Sequence, residues 1–280
     1  MQFSLRLRAT LLSALLLALL LLVWQIGTTP PPAQSVVADE YAKLLGSAAA
    51  SGQKTAFPRP IEFAEKLMEA ASSPFYNRGP NDKGLGIQLA YSIGRVALGF
   101  GLAALIAIPL GFLIGMSALL TKALNPFIQV LKPVSPLAWM PLALFTVKDS
   151  SVSSIFVIFI CSVWPMLMNT AFGVASVRKE WLDVAKTLEL KPLRCAISVI
   201  LPAAAPTIMT GMRISIGIAW LVIVAAEMLV GGTGIGYFVW NEWNNLSISN
   251  ILVAVLLIGL VGMALDAGFA KLQTTLTYKE

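Results

Sequence analysis

The stretch "EWLDVAKTLELKP", residues 180–192, is charged and helix-forming, yet it lies between two long apolar runs. Wound as a helix, it sets Trp181, Val184, Ala185 and Leu188 at i, i+3, i+4 and i+7 on one apolar stripe. Lys179, Glu180, Asp183, Lys186 and Glu189 fall elsewhere on the surface. Pro192 cannot continue a helix and pushes Lys191 out of helical geometry, so the element is expected to end near Leu190. Such a helix either rests its stripe on lipid headgroups or docks it into a groove of a soluble partner. Burying the stripe contributes about 1.5–3 kcal/mol per large side chain in either setting, so the pattern alone leaves both open.

Outward from this stretch the chain is built for a bilayer. Of 280 residues, 57% are apolar and only 12% charged, which is membrane composition. Apolar segments long enough to cross as helices occur about six times, near Thr10–Ile26, Leu89–Met116, Leu124–Val147, Ile155–Val174, Pro202–Leu229 and Ile251–Phe269. The expected fold class is all-α, a multi-pass membrane protein.

Orientation follows the basic residues of short loops, which stay on the cytoplasmic side. Arg6 and Arg8 precede the first span, Lys122 separates the second and third, and Lys271 and Lys279 follow the last. Arg178, Lys179, Lys186, Lys191 and Arg194 surround the opening stretch. Both termini and that stretch are therefore expected to face the cytoplasm, with the long segment from Gly27 to Gly86 outside. The first span is read as retained, with Trp24 as an interface anchor; "SVVA" at 35–38 offers the alternative of a cleaved signal. In the outer segment "TTPPPAQ" reads as an extended linker, and "PIEFAEKLMEAA", 60–71, as an amphipathic helix with Phe63, Ala64, Leu67, Met68 and Ala71 on one stripe. Its charged side either meets a binding protein or is simply solvated.

Catalytic signatures are missing. The sequence has no histidine, which excludes imidazole chemistry and histidine metal sites, and Cys161 and Cys195 are not placed to form a disulfide. No phosphate-binding G-x-x-x-x-G-K-[ST], H-E-x-x-H or serine–histidine pattern occurs. "GGTGIGY", 231–237, lacks the lysine of a phosphate cradle and reads as a turn or gate element. No catalytic residue, metal site, chain-bound cofactor or nucleic-acid partner is expected.

Charges that the bilayer must tolerate are candidates for a solute pathway. Counting helical rise from each span's start places Lys132 and Arg213 near mid-depth and sends Glu227 and Asp266 toward opposite ends, so the middle is expected to be net positive, as an anion route requires. Both basic residues could instead satisfy carbonyls freed by Pro133, Pro136 and Pro141. Arg95, nearer the outer rim, either attracts anions or snorkels to headgroups, the second being favoured. The series "KPVSPLAWMP", 132–141, breaks regular helix within the third span, which bilayers accept only beside protein or a water-filled cavity. Pro136, Trp139 and Met140 are therefore pathway candidates, Trp139 and Met140 as a constriction or as plain packing. Trp164 and Pro165 are expected to break the fourth span similarly, and Pro202 and Pro206 to stiffen and bend the entry to the fifth.

"DVAKTLELKPLRCAISVILP", 183–202, resembles the E-A-A loop of permeases in ATP-binding-cassette (ABC) importers, whose pattern is E-A-A, three residues, Gly, nine residues, then I-x-L-P. Asp183, Val184 and Ala185 stand at the E-A-A positions and Val199, Leu201 and Pro202 at the I-x-L-P positions, with spacing kept. Glu189 stands where the family usually has the turn-permitting glycine, so the helix is expected to run on to Leu190. "RVALGFGLAALIAIPLGFLIGM", "LKPVSPLAWMPLAL" and "GMRISIGIAWLVIVAAEMLVGGTGIGY" are similar to successive blocks of the nitrate, sulfonate and taurine permease group. "PFYNRGPNDKG", "KDSSVSSIFVIFI" and "VWNEWNNLSIS" are most like its nitrate permeases, with bicarbonate and cyanate relatives close behind.

The resemblance implies a type I ABC importer permease fold. It also implies a second permease copy, identical in the favoured arrangement, two cytoplasmic ATPase subunits that hold ATP and Mg, and a periplasmic or lipid-anchored binding protein. Trp181, Asp183, Val184, Ala185, Lys186, Leu188 and Glu189 would form the coupling helix. The expected division is 1–26 as an N-terminal transmembrane helix, 27–86 as a periplasmic segment, 87–272 as the permease core with the coupling helix near 178–190, and 273–280 as a cytoplasmic tail. Nitrate is the expected cargo, with bicarbonate, cyanate or a sulfonate such as taurine as alternatives. An ion-coupled secondary transporter is the rival class, though neither mid-depth carboxylate sites nor an internal repeat stand out.

Overall fold

The structure is a computed structural model that describes residues 2–29, 57–79 and 82–276. The candidate cleavage site, most of the linker and the end of the tail lie outside the described residues. Helices α1 (Gln2–Gly27), α2 (Pro60–Ser72), α3 (Leu85–Met116), α4 (Ala118–Leu131), α5 (Met140–Val147) and α6 (Ser150–Ala175) are followed by the short α7 (Lys179–Thr187). Then come α8 (Pro192–Cys195), α9 (Leu201–Val230), α10 (Ile235–Asn244) and α11 (Ile248–Leu276). Among the described residues five helices are long and apolar enough to cross a membrane, or six if α4 and the segment Pro136–Val147, bent by 82°, form one broken span.

The chain divides into two units. The first comprises residues 1–73 and 242–255. In it, Trp24 near the end of α1 donates its indole N–H to Pro58 O at 3.0 Å and meets the rings of Phe57 and Phe63 at 6.0 and 5.6 Å, so α1 is tied to the start of α2. Phe63 and Leu67 are half-buried while Met68 is exposed, so only part of the expected α2 stripe is covered.

The second unit, residues 74–241 and 256–280, is organised around α6. Gly99, Ala103, Ala107, Gly111 and Gly115 recur every fourth residue and line up small side chains on one face of α3. A Cβ at Gly99 would strike Ile158, one at Gly111 would strike Leu167 O and Thr170, and one at Gly115 would strike Ala171 O and Val174. The α3 and α6 backbones therefore approach closely, the packing that apolar helices use when hydrophobic exclusion cannot hold them together. On the other side Gly211 of α9 packs on Asn169 and Pro165 O of α6, and Ser215 Oγ donates to Ser162 O at 2.8 Å.

Pro165 does not break its span, because α6 runs unbroken from Ser150 to Ala175. The "KPVSPLAWMP" series does interrupt its own span: α4 stops at Leu131, Pro136–Trp139 form a 3₁₀ turn, and α5 starts at Met140. Ahead of α9, residues Ala196–Ile200 are wound as a π-helix, with Leu201 N–H donating to Ala196 O. Pro202, having no N–H to give, adjoins this wider turn.

Candidate functional site

Helix α7 is short and lies between α6 and the α8–α9 entry. Its faces differ from the expected division. Ala185 is 3% exposed, and Leu182 packs on the cluster of Val174, Ile200, Ala204 and Ile208, so the chain itself covers this side. Trp181, Val184 and Leu188, at i, i+3 and i+7, stay 41%, 59% and 66% exposed. The open apolar stripe is therefore these three residues. Ala185 does not belong to it, because the helix rolls one residue toward its own bundle. Asp183 and Lys186 are exposed and paired at 3.0 Å, an i,i+3 contact of small energetic weight.

The helix also ends earlier than expected, at Thr187 and not Leu190. Glu189 takes φ 50, Leu190 N–H reaches back to Ala185 O at 3.1 Å, and Glu189 N–H donates to Lys186 O at 2.9 Å. The tight turn is thus made without glycine, by a glutamate held in left-handed geometry that disfavours a Cβ by roughly 1–2 kcal/mol. Glu189→Gly is accordingly expected to raise stability by about 1 kcal/mol, read as a higher unfolding midpoint in detergent, with the α7 stripe unchanged.

The pathway candidates differ in their surroundings. Lys132 is the exposed C-cap of α4, at the break, so the continuous helix along which its depth is counted stops there. Pro136 begins the 3₁₀ turn and Trp139, half-buried, ends it. Met140 is 1% exposed and packed with Val157, Cys161, Val222 and Ala226, so it is core and does not form a constriction.

Arg95 neither snorkels nor faces an open route, since it is buried and bonded to Glu227. Its guanidinium donates to Glu227 Oε1 at 2.8 Å, to Thr233 O at 2.6 Å and to Ser151 Oγ at 2.9 Å. Glu227, 1% exposed, also accepts from Ser92 Oγ at 2.8 Å and from Gly236 N–H at 3.0 Å. Gly234 N–H donates to Gln88 Oε1 at 2.6 Å and Ile235 N–H to Ser92 Oγ at 2.9 Å. The glycine loop 231–237 is therefore a nest of amides filled by side chains of its own bundle. A Cβ at Gly234 would overlap the Glu227 carboxylate, and one at Gly236 would overlap Val224 O. Sequence reasoning missed this clasp, although Gln88, Ser92 and Arg95 at i, i+4 and i+7 mark a polar stripe on an otherwise apolar span.

Arg213 is also paired, which corrects the expected positive middle. Its Nε and one terminal nitrogen each donate to Asp266, both at 2.6 Å, in a bidentate fork from α9 to α11. Helix α11 continues to Leu276, beyond the expected end at Phe269, so Asp266 lies 10 residues inside the helix and not near its end. Unlike the Arg95–Glu227 pair, this one is open, with side chains 40% and 54% exposed. One turn away on α9 and two on α11, Gln273 donates to Thr210 Oγ1 at 3.1 Å, extending a polar seam between the two helices. Among the described residues no group of three or more His, Cys, Asp or Glu is placed to hold a metal.

A short amphipathic helix, α7, thus lies between the long apolar helices α6 and α9, with Pro202 at the start of α9. Residues 107–275 match the family described as the inner membrane component of binding-protein-dependent transport systems. The chain belongs to this family. The permease is 41% identical over 261 residues to the nitrate import permease protein of Synechocystis sp., covering 93% of this chain and 87% of that one. It is 48% identical over 201 residues to a bicarbonate transport system permease protein of the same organism, covering 71% and 72%. An inward-facing structure of the MetNI methionine ABC transporter superposes with a TM-score of 0.62 at 12% identity, covering 69% of this chain and 96% of that one. The permease is an all-α, multi-pass membrane protein with the type I ABC importer permease fold.

Proposed function

We propose that this permease is the non-catalytic membrane subunit of an ATP-driven importer of a small inorganic anion, nitrate first and bicarbonate second. The observation that carries the reading is the α7 stripe of Trp181, Val184 and Leu188, left open beside a buried Ala185. A helix that fixes one side to its own spans and offers the other as an apolar ridge fits helix-in-groove docking to a soluble motor. Two cytoplasmic ATPase subunits hold ATP and Mg, this chain holds no cofactor, and a second copy of it completes the pore. A periplasmic or lipid-anchored binding protein delivers the solute. The chain sits in the bacterial inner membrane with α7 and both termini cytoplasmic, which the basic residues at 178, 179, 186, 191 and 194 support. Nitrate is supported by the name of the relative matched across 93% of this chain, and bicarbonate by the name of the relative at 48% identity.

Motor closure would pull α7, and the pull would pass through α8 and the π-wound turn into α9, rocking the spans between two openings. The test is copurification and uptake. The detergent-extracted permease is expected to bring an ATPase subunit with it, and proteoliposomes of the complex with its binding protein to take up nitrate only with ATP. Uptake driven by a proton or sodium gradient without ATP would establish a secondary carrier instead, and ATP-driven uptake of bicarbonate but not nitrate would move the cargo to the second choice.

A further inference from the structure

The open ion pair of α9 and α11 is hard to explain as architecture. Arg213 lies 12 residues into α9 and Asp266 lies 10 residues before the end of α11, about 18 and 15 Å along their axes, so both fall inside helices long and apolar enough to cross a membrane. A half-exposed charged pair cannot face lipid tails at that depth, so water or protein must meet it. The chain contains a direct contrast in Arg95–Glu227, where the side chains are 9% and 1% exposed and several protein donors complete the carboxylate. Among the described residues the second pair has no such shell: Asp266 accepts from Nε and one terminal nitrogen of Arg213, and no described residue bonds the other terminal nitrogen.

We infer that Arg213 is a binding station for a planar monovalent oxyanion in the transport route, and that Asp266 is its resident counter-ion, displaced as the solute arrives and returning as it leaves. This rests on the importer reading above. A carboxylate bound across Nε and one terminal nitrogen presents two oxygens on a planar fork, the geometry that nitrate or bicarbonate presents to a guanidinium. Asp266 therefore mimics the solute. Its competition keeps binding weak, as a route that must release its cargo requires, and it keeps the guanidinium compensated while the site is empty.

The test uses nitrate as the probe. Nitrate is titrated into the detergent-purified permease, and stabilisation is read from the unfolding midpoint. In Asp266→Asn the guanidinium loses its competitor, so stabilisation is expected to set in at roughly tenfold lower nitrate than in the native chain. The double variant Arg213→Gln/Asp266→Asn is expected to show no stabilisation at all. The exchange variant Arg213→Asp/Asp266→Arg keeps a pair but carries the fork on α11. It is expected to assemble with the ATPase partners normally, yet take up nitrate at least about tenfold more slowly. Exchange that restores uptake to the native rate, or an Asp266→Asn titration identical to native, would overturn the inference. Native complex that takes up no nitrate with ATP would sink the importer reading separately.

Discussion

Leu188→Asp is expected to abolish ATP-driven uptake while the protein still inserts, folds and elutes as the native chain does. Leu188 is 66% exposed at the end of α7, so the substitution removes little packing within the chain. In a docked complex the same position would sit inside a dry groove, where a carboxylate has no partner. Losses at such interface anchors run to about 2–4 kcal/mol, or roughly 30- to 1,000-fold in affinity for the ATPase subunit. Val184→Asp should behave alike. Ala185→Asp should not, because Ala185 is buried against its own bundle and a charge there is expected to damage folding itself. The measurement is ATPase copurification alongside a thermal unfolding curve for all three variants. Undiminished ATPase binding in Leu188→Asp would remove the docking role.

Glu227→Ala carries the other large effect, on stability. It leaves the Arg95 guanidinium buried with one fewer acceptor, strands the Gly236 amide that now points at the carboxylate, and leaves the Ser92 hydroxyl only the Gln88 carbonyl at 3.2 Å. Removing one member of a buried pair costs about 3–5 kcal/mol, enough to deplete the folded protein in detergent. Arg95→Met combined with Glu227→Leu removes both charges, and is expected to unfold at a higher temperature than Glu227→Ala. Equal midpoints for the single and double variants would show that the pair is not the source of the effect.

These two sites also show what could be read from residues alone. The apolar runs announced the spans, and the helix-friendly charged stretch announced α7, because composition and 3.6-residue periodicity are local properties. The break after Leu131 was legible in its prolines. Pro165 misled, since a long span held on both sides tolerates a missing N–H. Glu189 misled in the other direction, because three backbone bonds around the turn outweigh a preference of about one kcal/mol for glycine. The ion pairs were out of reach for a different reason. Arg95 meets Glu227 across 132 positions of sequence and Arg213 meets Asp266 across 53, distances over which periodicity carries no information. Depth counting failed with them, since nothing in a continuous apolar run marks where a helix stops, and a few residues of error move a charge by a full turn.

The run of Gly99, Ala103, Ala107, Gly111 and Gly115 against α6 has a mechanical consequence. What meets the glycines is α6 carbonyls and the β-branched stems of Ile158, Thr170 and Val174, which are stiff at χ1 and leave little rotamer freedom by which one helix could glide past the other. Any twist imported at the foot of the neighbouring span must be handed on undiminished to both helices, as through a welded joint, so that the flexing is left to the seams at their margins.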